Sequence, residues 1–128
     1  MAAKLNKYTI KVTTNGSGAF VGGVGVRMNG FVHSIRYRFG DLASTTDIQS
    51  LVGAVNGQSL WAEADLAQAN KMIYPRAQVH TTAGVAATLD GTRPMMDRIP
   101  LVDEDVVLTV AQGGDTKTGY VDLFVQEA

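Results

Sequence analysis

The residues that could do chemistry are few and badly spaced for it. His33 and His80 are the only imidazoles, far apart and without HxH or HExxH spacing. A metal site needs several donors converging on one point, so no metal is expected. His33 falls in phase with Ile35 and reads as a hydrogen-bonded core or rim histidine. The chain has no cysteine, which excludes disulfides, thiolate zinc sites and thiol nucleophiles. A serine nucleophile needs an adjacent base, and no GxSxG elbow is present. Ser17, Ser34, Ser44, Ser50 and Ser59 stand in ordinary strand or turn contexts. Asp103-Glu104-Asp105 offers neighbouring carboxylates, yet three acids just ahead of a strand read as a solvated turn. Gly22-Gly23-Val24-Gly25 lacks the Gly-Lys-Ser/Thr ending and following helix of a phosphate cradle. The expectation is a non-enzyme with no catalytic residue, no cofactor and no small-molecule substrate.

What remains is cationic and soft. Arg27, Arg36 and Arg38 surround Tyr37 in the manner of a basic–aromatic patch. In an alternating strand, however, Arg36 and Arg38 point away from Tyr37, which favours a solvated face or a protein-docking face over nucleic acid. Arginine and methionine are enriched at protein interfaces. The residues expected to make protein contacts are Lys4, Lys7, Arg36, Arg38, Arg76, Met95 and Met96. A rival of another class is a carbohydrate-binding module with Trp61, Tyr74 or Tyr120 as a stacking platform.

The totals narrow the field further. At 128 residues the chain is expected to form one domain, 1–128, large enough for a core without staples. Eleven basic and twelve acidic residues leave a formal charge of −1, which argues against a dedicated binder of nucleic acid or anionic lipid. No apolar run reaches membrane-spanning length, and the start has no h-region.

The elements that must carry these residues are strands. Val106, Leu108 and Val110 alternate with Val107, Thr109 and Ala111, and after Gln112 to Lys117 the alternation resumes through Val121, Leu123 and Val125. With Gly113-Gly114-Asp115 between them, the two runs are expected to form a hairpin. Lys7–Thr14 reads as a first strand, with residues 1–6 an extended arm. Asn15–Gly18 and Arg27–Gly30 read as turns, and Ala19–Val26 as a glycine-weakened strand. Phe31–Phe39 is a strand with Phe31, Ile35, Tyr37 and Phe39 on one face and Ser34, Arg36 and Arg38 on the other. Asp47–Val55 and Gln58–Ala64 flank Asn56-Gly57, a two-residue hairpin signal. Ala62, Leu66, Ala69 and Ile73 have helical spacing, so about two helical turns at most are allowed there. Arg76–Pro100 is expected to hold two short strands with loops. About eight short strands and at most one short helix make an all-β, two-sheet sandwich or jelly roll.

Several segments, in order, resemble a family of small virion proteins of tailed bacteriophages. They are Gly30-Phe31-Val32-His33-Ser34-Ile35-Arg36-Tyr37, Tyr74-Pro75-Arg76 and Gly91-Thr92-Arg93-Pro94. The series continues with Ile99-Pro100-Leu101, Val110-Ala111-Gln112-Gly113-Gly114, Lys117-Thr118-Gly119 and the terminal strand. The family includes jelly-roll capsid decoration, or cement, proteins. The resemblance implies a chain made in the host cytoplasm and displayed on the outside of the head. There it would bind the major capsid protein and itself, as a dimer or trimer, and staple neighbouring coat subunits. A neck or tail subunit is the alternative within the same class. No nucleic acid, membrane or catalytic residue is implied.

Overall fold

The computed structural model describes residues 4–88, 93 and 95–127. Residues 1–3 of the expected arm and most of the Gly91-Thr92-Arg93-Pro94 segment lie outside them. Among the described residues eleven strands are formed: β1 Lys4–Thr13, β2 Phe20–Gly23, β3 Met28–Arg38, β4 Thr46–Gly53, β5 Ser59–Leu66, β6 Lys71–Ile73, β7 Arg76–Gln78, β8 Met96–Arg98, β9 Pro100–Glu104, β10 Val106–Ala111 and β11 Thr118–Glu127. The first sheet runs β1-β11-β3-β6, with β9 pairing the opening half of β3. The second runs β2-β10-β4-β5, and β7 and β8 make a separate ribbon. All these pairings are antiparallel.

The fold is all-β, as the alternation requires. Inward residues of the first sheet (Ile10, Val12, Val32, Ile35, Tyr37, Val121, Leu123, Val125) meet those of the second (Ile48, Leu51, Trp61, Val106, Leu108, Val110) in one core. Two sheets, each apolar on one side, bury each other. Tyr37 and Trp61 join the sheets edge to face, with ring centroids 6.0 Å apart.

Four expectations are corrected. The runs 106–111 and 118–127 are strands, but they do not form a hairpin. β10 pairs β2 and β4 in the second sheet, whereas β11 pairs β1 and β3 in the first. The linker between them is a corner where the chain changes sheets. Its backbone is tied to other loops: the Gly113 N–H donates to Gly18 O, and Gly113 O accepts from the Ala43 N–H. Thr14 Oγ1 donates to Gly114 O at 2.6 Å. A Gly-Gly-Asp signal announces a reversal of direction but not the sheet into which the chain returns.

Residues 4–6 are no free arm, because β1 starts at Lys4 and pairs β11 from Lys4↔Glu127 onward. The stretch of helical spacing is β5, a bend at 68–69 and β6, with Asp65 at φ 53° near the end of β5. Among the described residues there is no helix. Pairing to β3 and β4 satisfies the backbone of this stretch, and that overrides a two-turn period too short to hold a helix alone. Finally, residues 28–30 are strand, not turn, and Phe31 does not share the face of Ile35. A register shift opposite Phe124/Val125 places Ser34 against Phe124 and Val32 against Val125, leaving His33 as the extra residue. A bulge of one residue reverses the parity beyond it. Phe31 therefore emerges on the outer side, 41% exposed.

Candidate protein-docking face

That outer side of the first sheet gathers most of what the sequence marked. β1 contributes Leu5, Lys7, Thr9 and Lys11, opposite Gln126, Phe124, Asp122 and Tyr120 of β11. β3 lays Arg38 beside Tyr120, Arg36 beside Asp122 and Ser34 beside Phe124. β6 adds Met72 next to Arg36. Arg98, from β8, lies over the Phe31 ring at 4.9 Å and hydrogen-bonds Gln126.

The centre of the face is Asp122. Its side chain is fully buried although the strand face points outward, because four donors cover it. Oδ1 accepts from Thr9 Oγ1 at 2.7 Å and from Arg38 Nη2 at 2.9 Å. Oδ2 accepts from the Nε of both Arg36 and Arg38 at 2.8 Å. Burial alone would push this carboxyl up. The Arg38, Thr9 and Arg36 donors outweigh it and hold the carboxyl below the usual range. Arg38 closes a two-nitrogen fork on the carboxylate and stacks on Tyr120 at 4.5 Å. Arg36 gives only its Nε and lies 5.3 Å from the Phe124 ring centre. Among the described residues, five cations (Lys7, Lys11, Arg36, Arg38 and Arg98) thus stand on this face against two carboxylates, Asp122, which is already engaged, and Asp97, 3.8 Å from Arg98 at the rim. Leu5, Phe31 and Met72 lie exposed among them. A surface that is both cationic and apolar can bind an acidic, partly apolar protein surface.

The structure divides the expected contact residues into separate places. Lys7, Arg36 and Arg38 come together here. Lys4 sits at the start of the edge strand opposite Glu127. Arg76, Met95 and Met96 belong to the β7–β8 ribbon, where Arg76 donates to the carbonyls of Pro75 and His33. The ribbon reaches the rim of the docking face through Arg98. Sequence reasoning missed Asp122, Thr9, Lys11, Phe124 and Arg98. The available signal was the period-2 series Tyr120, Asp122, Phe124 at matching intervals to Arg38 and Arg36.

Other readings fare unevenly. Trp61 is buried against Tyr37 and Tyr120 is covered by Arg38, so they make no open stacking platform with Tyr74. His33 is half-buried at the bulge with Nδ1 2.9 Å from Ser34 Oγ. Among the described residues no group of three or more His, Cys, Asp or Glu is placed to hold a metal ion. Of the three acids expected in a solvated turn, Glu104 is buried. It accepts the Val55 and Asn56 N–H groups at 2.6 and 2.8 Å, closing the Asn56-Gly57 turn from across the sheet edge. Burial raises this carboxyl, but the two backbone donors pull it below its ordinary range. Gly53 makes room for it, since a Cβ there would lie 2.5 Å from Oε2. This carboxylate is a brace of the fold. No protein-family model, curated protein or solved structure matches the chain.

Proposed function

We propose that this chain is a non-enzymatic virion decoration protein, which binds the outside of a capsid and links neighbouring coat subunits. The single observation that carries a docking role is the outer face of the first sheet, where the central carboxylate, Asp122, is enclosed by its own arginines. Such a face is costly to leave idle: its aromatic and aliphatic groups remain in water and its cations repel one another. Covering it with an acidic coat surface relieves both. The phage assignment itself rests on the ordered segments that resemble tailed-phage virion proteins.

A decoration protein adds free energy only to the assembled shell, so modest affinity per copy suffices when many copies bind. Immunogold labelling of purified virions tests the reading. Label spread over the head, together with loss of heat and osmotic resistance when the protein is stripped, is the expected result. Label confined to one vertex would make it a neck subunit, and absence from the virion would end the virion reading altogether.

A further inference from the structure

We infer that Arg36 is a preformed receptor for a carboxylate side chain, and that the partner presents a glutamate or aspartate with an apolar neighbour to it. The inference rests on the docking role proposed above and specifies its central contact.

The two arginines at Asp122 are not equivalent. Arg38 turns both Nε and Nη2 onto the carboxylate, so one edge of its guanidinium is satisfied internally. Arg36 turns only Nε inward, and its two Nη groups meet no acceptor among the described residues. The Nη1–Nη2 edge is the one that binds a carboxylate end-on through two parallel hydrogen bonds. This edge is already aimed. The Nε contact to a buried carboxylate fixes one end of the group, and Phe124 supports its plane from beneath. A free surface arginine would lose rotamer entropy on binding, whereas this one has largely lost it in the folded chain.

Electrostatics point the same way. Asp122 carries one negative charge against two guanidinium groups, so the cluster keeps a net positive charge at Arg36. Lys7 stands opposite Phe124 on β1 and adds to the field. Met72, 41% exposed, is the cross-strand neighbour of Arg36 on β6 and forms an apolar shoulder. A carboxylate flanked by an aliphatic or aromatic group would fill both. Nucleic acid is the competing polyanion. It fits less well, because the exposed cross-strand neighbour of the arginine is the apolar Met72, and the chain carries a formal charge of −1 overall.

The experiment uses the full chain, isotopically labelled, titrated with a synthetic peptide alternating glutamate and phenylalanine and, separately, with a single-stranded oligonucleotide. Arginine side-chain NMR signals report the contact. The expected result is saturable movement of the Arg36 Nε–Hε and Nη signals with the peptide, and weaker binding of the oligonucleotide at physiological salt. Arg36→Gln should weaken peptide binding about tenfold or more, and Arg36→Lys should recover only part of it, since lysine keeps the charge without the fork. Lys4→Gln, at the strand end, should change little. Each variant is first checked for an unchanged backbone spectrum. If Arg36→Gln disturbs the fold, Met72→Ser provides the second arm, removing the apolar shoulder without adding charge and expected to weaken binding while leaving Arg36 in place. Shifts spread evenly over the lysines with Arg36 unmoved, full recovery by Arg36→Lys, or tighter binding of the oligonucleotide would each overturn the inference. Its failure leaves the virion location open, and peptide binding by a chain found only at a vertex would sink the decoration role while leaving the receptor standing.

Discussion

The outer faces of the two sheets are built from the same period-2 alternation and come out opposite in character. On the first sheet the outward residues are long, charged and aromatic, gathered around Asp122. On the second, across β2, β10 and β4, they are Val21 and Gly23, Val107, Thr109 and Ala111, and Ser50, Val52 and Asp47 respectively. These are small or β-branched, and Asp47 is the single charge among them, its carboxylate accepting the Asp65 N–H at 2.9 Å. Both faces sit over the same core, so burial requirements cannot account for the contrast. Under the docking role proposed above, what differs is the use of the outer side. A blank face only has to stay folded, whereas a face carrying like charges must hold them apart until something covers them.

The sharpest way to break this contrast is to remove its centre. Asp122→Ala leaves Arg36 and Arg38 without a counter-charge and Thr9 without an acceptor. Losing one partner of a fully buried pair costs about 3–5 kcal/mol. Here both arginine side chains keep about a third of their surface in water, so a loss of about 2–3 kcal/mol in chemical denaturation is expected, with an unchanged midpoint as the contrary result. The same centre gives the chain an acid dependence. Asp122 and Glu104 have folded pKa values below their ordinary ones, so their contribution is complete above the unfolded carboxylate range and is lost as pH falls through the depressed values. Stability should therefore be flat from neutral pH to about pH 4–5 and decline below. Asp122→Asn should flatten part of that decline.

Glu104→Gln probes a carboxylate that braces the fold without joining either face. An amide offers one acceptor and turns its NH2 toward a backbone N–H, so Val55 or Asn56 loses its partner. The thermal midpoint should fall, by less than in Asp122→Ala, and binding through the first sheet should persist. A loss of binding at matched stability would contradict the division between brace and docking face. The smallest effect is expected on the blank face. Val21→Lys, at a residue 68% exposed, should alter stability by no more than about 0.5 kcal/mol and leave docking unchanged. If it abolishes docking, the wrong face has been assigned.

Much of this was legible in the sequence, and the part that was not has a common cause. Alternation gave the inward sets Val106/Leu108/Val110 and Val121/Leu123/Val125 correctly, because that signal is local. It also placed Arg36 and Arg38 opposite Tyr37. It could not tell which strand lies beside which. The supposed 106–126 hairpin is a corner between sheets for that reason, and Asp122 went unnoticed because its partners are 84, 86 and 113 residues away in sequence. Phe31 was put on the wrong face by a one-residue bulge at His33, which leaves no mark in the composition. Glu104 looked like one of three solvated acids until the turn it closes, some fifty residues earlier in the chain, was set against it.

The most direct test is the orientation of the chain on its particle, read from a cryo-electron microscopy map in which strands are separated. The account predicts the β1–β11–β3 outer surface pressed against coat protein, with an acidic side chain within hydrogen-bonding distance of the Arg36 Nη groups and the β2–β10–β4 surface turned to solvent. A map with Asp122 and its arginines facing bulk water, and Val21 and Thr109 in the contact, would contradict it.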